Sequence, residues 1–138
     1  MAGAISLVGA TTSAFAYDGW ADSIATAYSL NGPLSGVSTT INASDDVDWY
    51  SWTNDTGSNA SWNATLQSPA GLNYDMHMVL RTGTQYLSLG SAGDQGPGGL
   101  DWPGGTIQAG DTIYFQIRGQ KGSDWSTSAL YTFNINHP

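Results

Sequence analysis

Asp45-Asp46-Val47-Asp48-Trp49-Tyr50-Ser51-Trp52 is the stretch whose reading decides the fold. Three carboxylates crowd ahead of an alternating aromatic run. After Asp48 the pattern has the two-residue period of a strand, with Tyr50 and Trp52 on one face and Trp49, Ser51 and Thr53 on the other. Carboxylates this close repel one another unless a cation sits among them or water screens them. The stretch therefore predicts a strand at the edge of an all-β core together with a candidate hard-cation site. Neither is a catalytic centre.

The same texture extends in both directions. Leu34 to Ile41 is β-rich after the turn Asn31-Gly32-Pro33. Ala60 to Gln67 aligns Trp62, Ala64 and Leu66 on one face, and Asn73 to Leu80 aligns Tyr74, Met76, Met78 and Leu80. Gln85 to Leu89 is a short strand, and Gly90 to Gly105 reads as a long Gly- and Pro-rich loop. Thr112 to Arg118 sets Ile113, Phe115 and Ile117 against Tyr114, Gln116 and Arg118. Ala129 to Asn136 aligns Tyr131, Phe133 and Ile135. Asp22 to Tyr28 is the one helical candidate. Seven or eight short strands between Gly, Pro and Asn turns predict a β-sandwich or barrel, and clean alternation favours antiparallel sheets with one wet face.

Composition narrows the function. The 138 residues carry a net charge of −8, with Arg81, Arg118 and Lys121 the only cations, and all the acids are Asp. Nucleic acid and anionic membrane surfaces are bound through Lys and Arg clusters, so both are excluded as partners. Charged residues make up only 10% while aromatics reach 12%, which opposes disorder and suits an extracellular β-protein. The absence of cysteine excludes thiolate metal sites and thiol nucleophiles. Ala4-Ile5-Ser6-Leu7-Val8-Gly9-Ala10 is apolar and too short to span a membrane, and Ser13-Ala14-Phe15-Ala16 ends in an Ala-x-Ala pattern. Residues 1–16 thus read as a secretory signal remnant or N-terminal extension, with the mature protein starting near Tyr17 and 17–138 forming one β-sandwich domain. The alternative is an ordinary N-terminal strand.

Several elements in order resemble a known family. Asp22-Ser23-Ile24-Ala25-Thr26-Ala27 gives an Asp-Ser-x-x-x-Ala opening, and Gly36 to Ile41 a Gly-containing first strand. Asp45 to Trp52 gives an Asp-x-x-Asp-aromatic-Tyr-x-aromatic element, and Tyr74 to Leu80 a Tyr-Asp strand. Ala109 to Ile117 and Leu130 to Ile135 close the set. Together they resemble the bacterial pre-peptidase C-terminal domain, related to the collagen-binding domains of clostridial collagenases. The resemblance implies a secreted, generally non-catalytic, jelly-roll-like β-sandwich. Some members bind calcium where an N-terminal segment meets the Asp-x-x-Asp turn, and some bind insoluble polymers such as collagen or polysaccharide, so the resemblance implies both as expectations. Carried onto this chain, the calcium ligands are Asp45, Asp48 and Asp22, with backbone carbonyls near Ser44, while Asp46 faces water. The chain departs from the pattern at Trp20 and Ala21, where calcium-binding members carry acids; Asp18 substitutes only if the segment folds back.

Exposed aromatics form the second candidate site. Trp49 points away from the core face, Tyr114 lies on the outer face of its strand, and Trp102 and Trp125 sit in Gly- and Ser-rich loops. Such rings stack on sugar faces and on Pro-rich chains without charge; alternatively Trp102 and Trp125 plug the ends of the sandwich. His77 beside Asp75 is half of a Ser-His-Asp triad at most, without a Gly-x-Ser-x-Gly elbow. Asn42, Asn54, Asn59 and Asn63 open Asn-x-Ser/Thr sequons, read here as products of composition. The expected function is a secreted, calcium-stabilised, non-catalytic module binding an extracellular polysaccharide or fibrous protein. The alternatives are a self-assembling surface or filament subunit that donates its N-terminal strand, and a small secreted hydrolase.

Overall fold

The computed structural model describes residues 6–8 and 11–13, as backbone strands, and residues 21–31, 36–93 and 95–138. The strands are β1 (Ser6–Val8), β2 (Thr11–Ser13), β3 (Tyr28–Ser29), β4 (Gly36–Thr39), β5 (Val47–Thr53), β6 (Ala60–Gln67), β7 (Tyr74–Thr82), β8 (Gln85–Ser91), β9 (Leu100–Asp101), β10 (Gly104–Ile107), β11 (Thr112–Gly119) and β12 (Tyr131–Asn136). They form two sheets. One runs β1-β2-β4-β12-β6-β10, with β9 also paired to β6, and the other runs β3-β5-β11-β7-β8. The all-β sandwich is the fold that the alternation predicts, and the pairing is antiparallel except for β2 with β4 and β3 with β5. Additional strands beyond the eight expected are mostly pieces of two to four residues.

The core follows from strand parity. Tyr50 and Trp52 of β5, Ile113, Phe115 and Ile117 of β11, and Tyr74, Met76 and Met78 of β7 face Val37 of β4, Trp62, Ala64 and Leu66 of β6, and Tyr131, Phe133 and Ile135 of β12, and all are buried. Rings bridge the two sheets: Tyr50 stacks on Phe133 at 4.8 Å, Phe115 tilts against Phe133 at 5.1 Å, and Trp62 meets Phe115 edge-on at 5.3 Å. Each large side chain buried this way contributes about 1.5–3 kcal/mol. His137 closes one end, stacked on Trp52 at 4.9 Å with Nε2 2.9 Å from the Leu30 carbonyl oxygen.

Two expectations are corrected. Asp22 to Tyr28 is not an α-helix but a single 3₁₀ turn at Ile24–Thr26, closed by a reciprocal Ser23–Thr26 capping box. The chain leaves it extended at Ala27, because Tyr28 and Ser29 pair with Tyr50 and Ser51 of β5. The stretch 90–105 is not one loop: it holds β9 and opens β10. Gly104 and Gly105 have little strand propensity of their own. Their strand exists because β6 supplies the partner, with Gly105 opposite Trp62 and an added Cβ only 3.4 Å from the indole.

The sequon at Asn54 is also structural. Asn54 is buried, donates through Nδ2 to the Ser58 and Ile107 carbonyls at 2.8 and 3.0 Å, and accepts from Thr56 N at 3.1 Å and Thr56 Oγ1 at 2.7 Å. The N-terminal stretch read as a signal remnant carries β1 and β2, paired to each other and, through β2, to β4. Tyr17, Asp18 and Trp20 lie outside the described residues.

Candidate cation site and aromatic face

The alternation that drives Tyr50 and Trp52 into the core drives Asp48 there as well. Asp48 is fully buried. Its Oδ2 accepts a hydrogen bond from the Tyr131 hydroxyl at 2.6 Å, and that hydroxyl is 2.5 Å from the hydroxyl of Tyr50. Its Oδ1 is buried with no hydrogen-bond partner. Burial pushes the Asp48 carboxyl from 3.8 up to about 8; the Tyr131 hydrogen bond opposes this, and the negative charges of Asp46 and Asp22 add to it. Burial also raises the hydroxyls of Tyr50 and Tyr131 well above the usual tyrosine range. The Tyr74 hydroxyl, buried without a hydrogen-bond partner, is pushed up to about 12 by burial and by Asp124, Asp48 and Asp46.

Asp46 shares Asp48's parity just ahead of β5. It is buried, and its Oδ2 accepts from the Asn42 amide at 3.0 Å across the turn that delivers the chain into the strand. Asp22 arrives from the other side. The Trp49 amide donates to the Ala21 carbonyl at 2.8 Å, which staples the N-terminal segment to β5. Ala21 sits at φ 52°, a left-handed conformation that costs an L-residue about 1 kcal/mol and is held by this docking.

One carboxylate oxygen from each of Asp22, Asp46 and Asp48 lies within 4.8 Å of the others. A calcium-sized ion with oxygens at about 2.3–2.6 Å brings ligand oxygens to just such separations. An all-oxygen donor set suits a hard cation rather than zinc or copper. The orphaned Oδ1 of Asp48 is the strongest sign of fit: a buried carboxylate oxygen without a donor is costly, and a cation removes that cost. The cluster can hold a metal ion.

The acid cluster differs from the expected trio at one position. Asp45 is exposed and lies outside the cluster, whereas Asp46, expected to face water, is inside. Parity carried the signal, because positions 46, 48, 50 and 52 share one face and 45 lies on the other. The missing acid at Trp20 and Ala21 leaves the cluster intact, since Asp22 fills the corner beside β5.

The expected aromatics are spread over the surface. Trp49 and Tyr114 are half-buried on the outer face of β5 and β11, while Trp102 is 71% and Trp125 41% exposed, so Trp102 plugs nothing. Sequence reasoning missed Tyr86. It is exposed on β8, 6.2 Å from the Tyr114 ring, with the Arg81 guanidinium 5.8 Å from its centroid. The signal was the register, which sets Arg81 opposite Tyr86 and Val79 opposite both Tyr114 and Ser88.

His77 stands between two serines, with Nε2 3.1 Å from Ser88 Oγ and Nδ1 3.4 Å from Ser91 Oγ. A triad needs an orienting carboxylate on the second ring nitrogen, and here a hydroxyl takes that place. Among the described residues, no helix is long and apolar enough to cross a membrane.

No protein-family model matches the sequence, and no curated protein does. Solved structures do match. The pre-peptidase C-terminal domain of a collagenase from Bacillus anthracis is similar at a TM-score of 0.53 and 14% identity, over 78% of this chain and 90% of that one. A mitogen from Yersinia pseudotuberculosis is similar at 0.53 and 12% identity, over 74% and 83%. CorA, a surface-associated copper-binding protein of Methylomicrobium album BG8, is similar at 0.54 and 8% identity, over 81% and 98%. At such identities the likeness is one of fold. In architecture the chain resembles the pre-peptidase C-terminal domain.

Proposed function

We propose that this protein is a secreted, non-catalytic binding module. A calcium ion held by Asp22, Asp46 and Asp48 locks the N-terminal segment onto β5. The aromatic face of β5, β11 and β8, with the loop residues Trp102 and Trp125, engages an extracellular polysaccharide or fibrous protein. The buried acid cluster with its orphaned Asp48 oxygen carries the calcium half of this reading. The exposed rings, on a surface nearly free of cations, support the binding half. The resemblance to a collagenase's pre-peptidase C-terminal domain supports the setting. A ligand that binds only the native state stabilises it, so saturating calcium should raise the unfolding midpoint. An unchanged midpoint would remove calcium from the account. Pull-downs on insoluble polysaccharides and collagen, with wild type against Trp102→Ala and Tyr86→Ala, test the binding half; retention on none of them would refute it.

Self-association is a second reading, favoured by one observation. β8 is the outer strand of its sheet, and Gln85 to Ser91 presents exposed Tyr86, Leu87 and Leu89 with no charged residue and no proline. Natural edge strands usually carry such guards against pairing with another chain. Sedimentation of wild type and Leu87→Lys tests it: a dimer that the lysine dissolves supports the reading, and a wild-type monomer at high concentration ends it.

A further inference from the structure

Asp48 has two oxygens in different circumstances: Oδ2 is held by the Tyr131 hydroxyl, and Oδ1 has no hydrogen-bond partner. A carboxylate torsion is soft, so a lone aspartate at a metal site would swing between orientations. This one has a fixed partner, and the partner is itself fixed. A carboxylate accepts and a tyrosine hydroxyl has a single proton. With Tyr131 donating to Asp48, the 2.5 Å contact between the hydroxyls requires Tyr50 to donate to Tyr131. With Asp48 ionised, as it is when it ligates a cation, the relay therefore has one direction, Tyr50 to Tyr131 to Asp48. It crosses the sandwich, because Tyr50 and Asp48 belong to β5 and Tyr131 to β12 in the opposite sheet. Both rings are clamped: Tyr50 stacks on Phe133, and Tyr131 meets Tyr74 edge-on at 5.8 Å.

We infer that Tyr131 is the positioning residue of the cation site: its hydroxyl, oriented by Tyr50, grips Asp48 Oδ2 and leaves Oδ1 to the ion shared with Asp22 and Asp46. The inference rests on the reading that this cluster binds calcium. Partners of this kind, behind the metal ligands, orient them, and their loss typically costs about 10–100-fold in metal affinity. A tyrosine that merely filled the core would act on folding and leave affinity alone. Tyr131→Phe separates these roles, since it keeps the ring and removes only the hydroxyl.

The test is calorimetric titration of the full chain with calcium chloride, with circular dichroism confirming the fold of each variant. Tyr131→Phe should bind calcium about 10–100-fold more weakly than wild type, and Tyr50→Phe should show a smaller loss because Tyr131 still donates to Asp48. The double variant should match Tyr131→Phe alone, since Tyr50 acts only through Tyr131. Wild-type affinity in a folded Tyr131→Phe would overturn the inference and leave the calcium reading standing. Absence of calcium binding by the wild type would overturn both. If Tyr131→Phe fails to fold, Tyr50→Phe decides: weakened binding upholds the relay, and unchanged binding overturns it.

Discussion

In the calcium-free protein, raising the pH from 4 to 8 should destabilise the fold, and Asp48 should be the main cause. Its carboxyl lies near 3.8 in a solvated chain and is raised to about 8 in the folded state, chiefly by burial. Between those values the native state holds a proton that the unfolded chain has released. Stability therefore falls as pH rises through the window, the reverse of the usual surface aspartate. Each pKa unit corresponds to about 1.4 kcal/mol, so the whole shift sets a ceiling of about 6 kcal/mol. That is a large share of the roughly 5–15 kcal/mol that holds a domain together. At about 2–8 °C per kcal/mol the midpoint should drop by about 10 °C or more. On the proposed reading calcium takes the place of the proton, so the loaded protein should lose the slope, and the gap between loaded and stripped protein should widen towards pH 8. The assay is thermal unfolding followed by circular dichroism at stepped pH, with calcium-stripped and calcium-saturated protein. Asp48→Asn is the control, because a neutral amide cannot titrate; its stripped form should be flatter by the amount assigned to Asp48. A stripped wild type whose pH profile matches that of Asp48→Asn would refute the reasoning.

Other expected outcomes follow from single contacts. Asn54→Ala leaves the Ile107 carbonyl and the Thr56 amide without their partner and should cost about 1–3 kcal/mol, read as a lower urea midpoint at unchanged slope. Gly36→Ala places a Cβ 2.6 Å from the Phe133 carbonyl oxygen and against the Asn134 side chain, so β4 and β12 must part; a loss above about 2 kcal/mol, with exchange of the β12 amides accelerated, is expected. Trp102→Ala, at an exposed position, should leave stability within about 0.5 kcal/mol while reducing retention on the polymer that the wild type binds.

Much of the fold was legible because a half-buried strand writes its burial into every second residue. Tyr50 and Trp52, Trp62 through Leu66, Ile113 through Ile117 and Tyr131 through Ile135 all obey that rule, and all face the core. What parity could not show was structure made by a partner. β10 begins with two glycines and exists through β6, and Asp22 to Tyr28 gives up helix because β5 offers Tyr28 and Ser29 a ladder. The acid cluster was legible in part. Parity already placed Asp46 and Asp48 on the face of Tyr50, yet a carboxylate directed into a core reads as an error until three of them meet there with a tyrosine relay behind them. Tyr131, 83 residues from Asp48 in the chain, is joined to it only by the sandwich.

The most direct test is calcium titration of wild type beside Asp48→Asn, Asp46→Asn and Asp45→Asn. The account predicts binding by the wild type and by Asp45→Asn, and its loss in Asp46→Asn and Asp48→Asn. Binding that survives Asp48→Asn, or that disappears with Asp45→Asn, would contradict it.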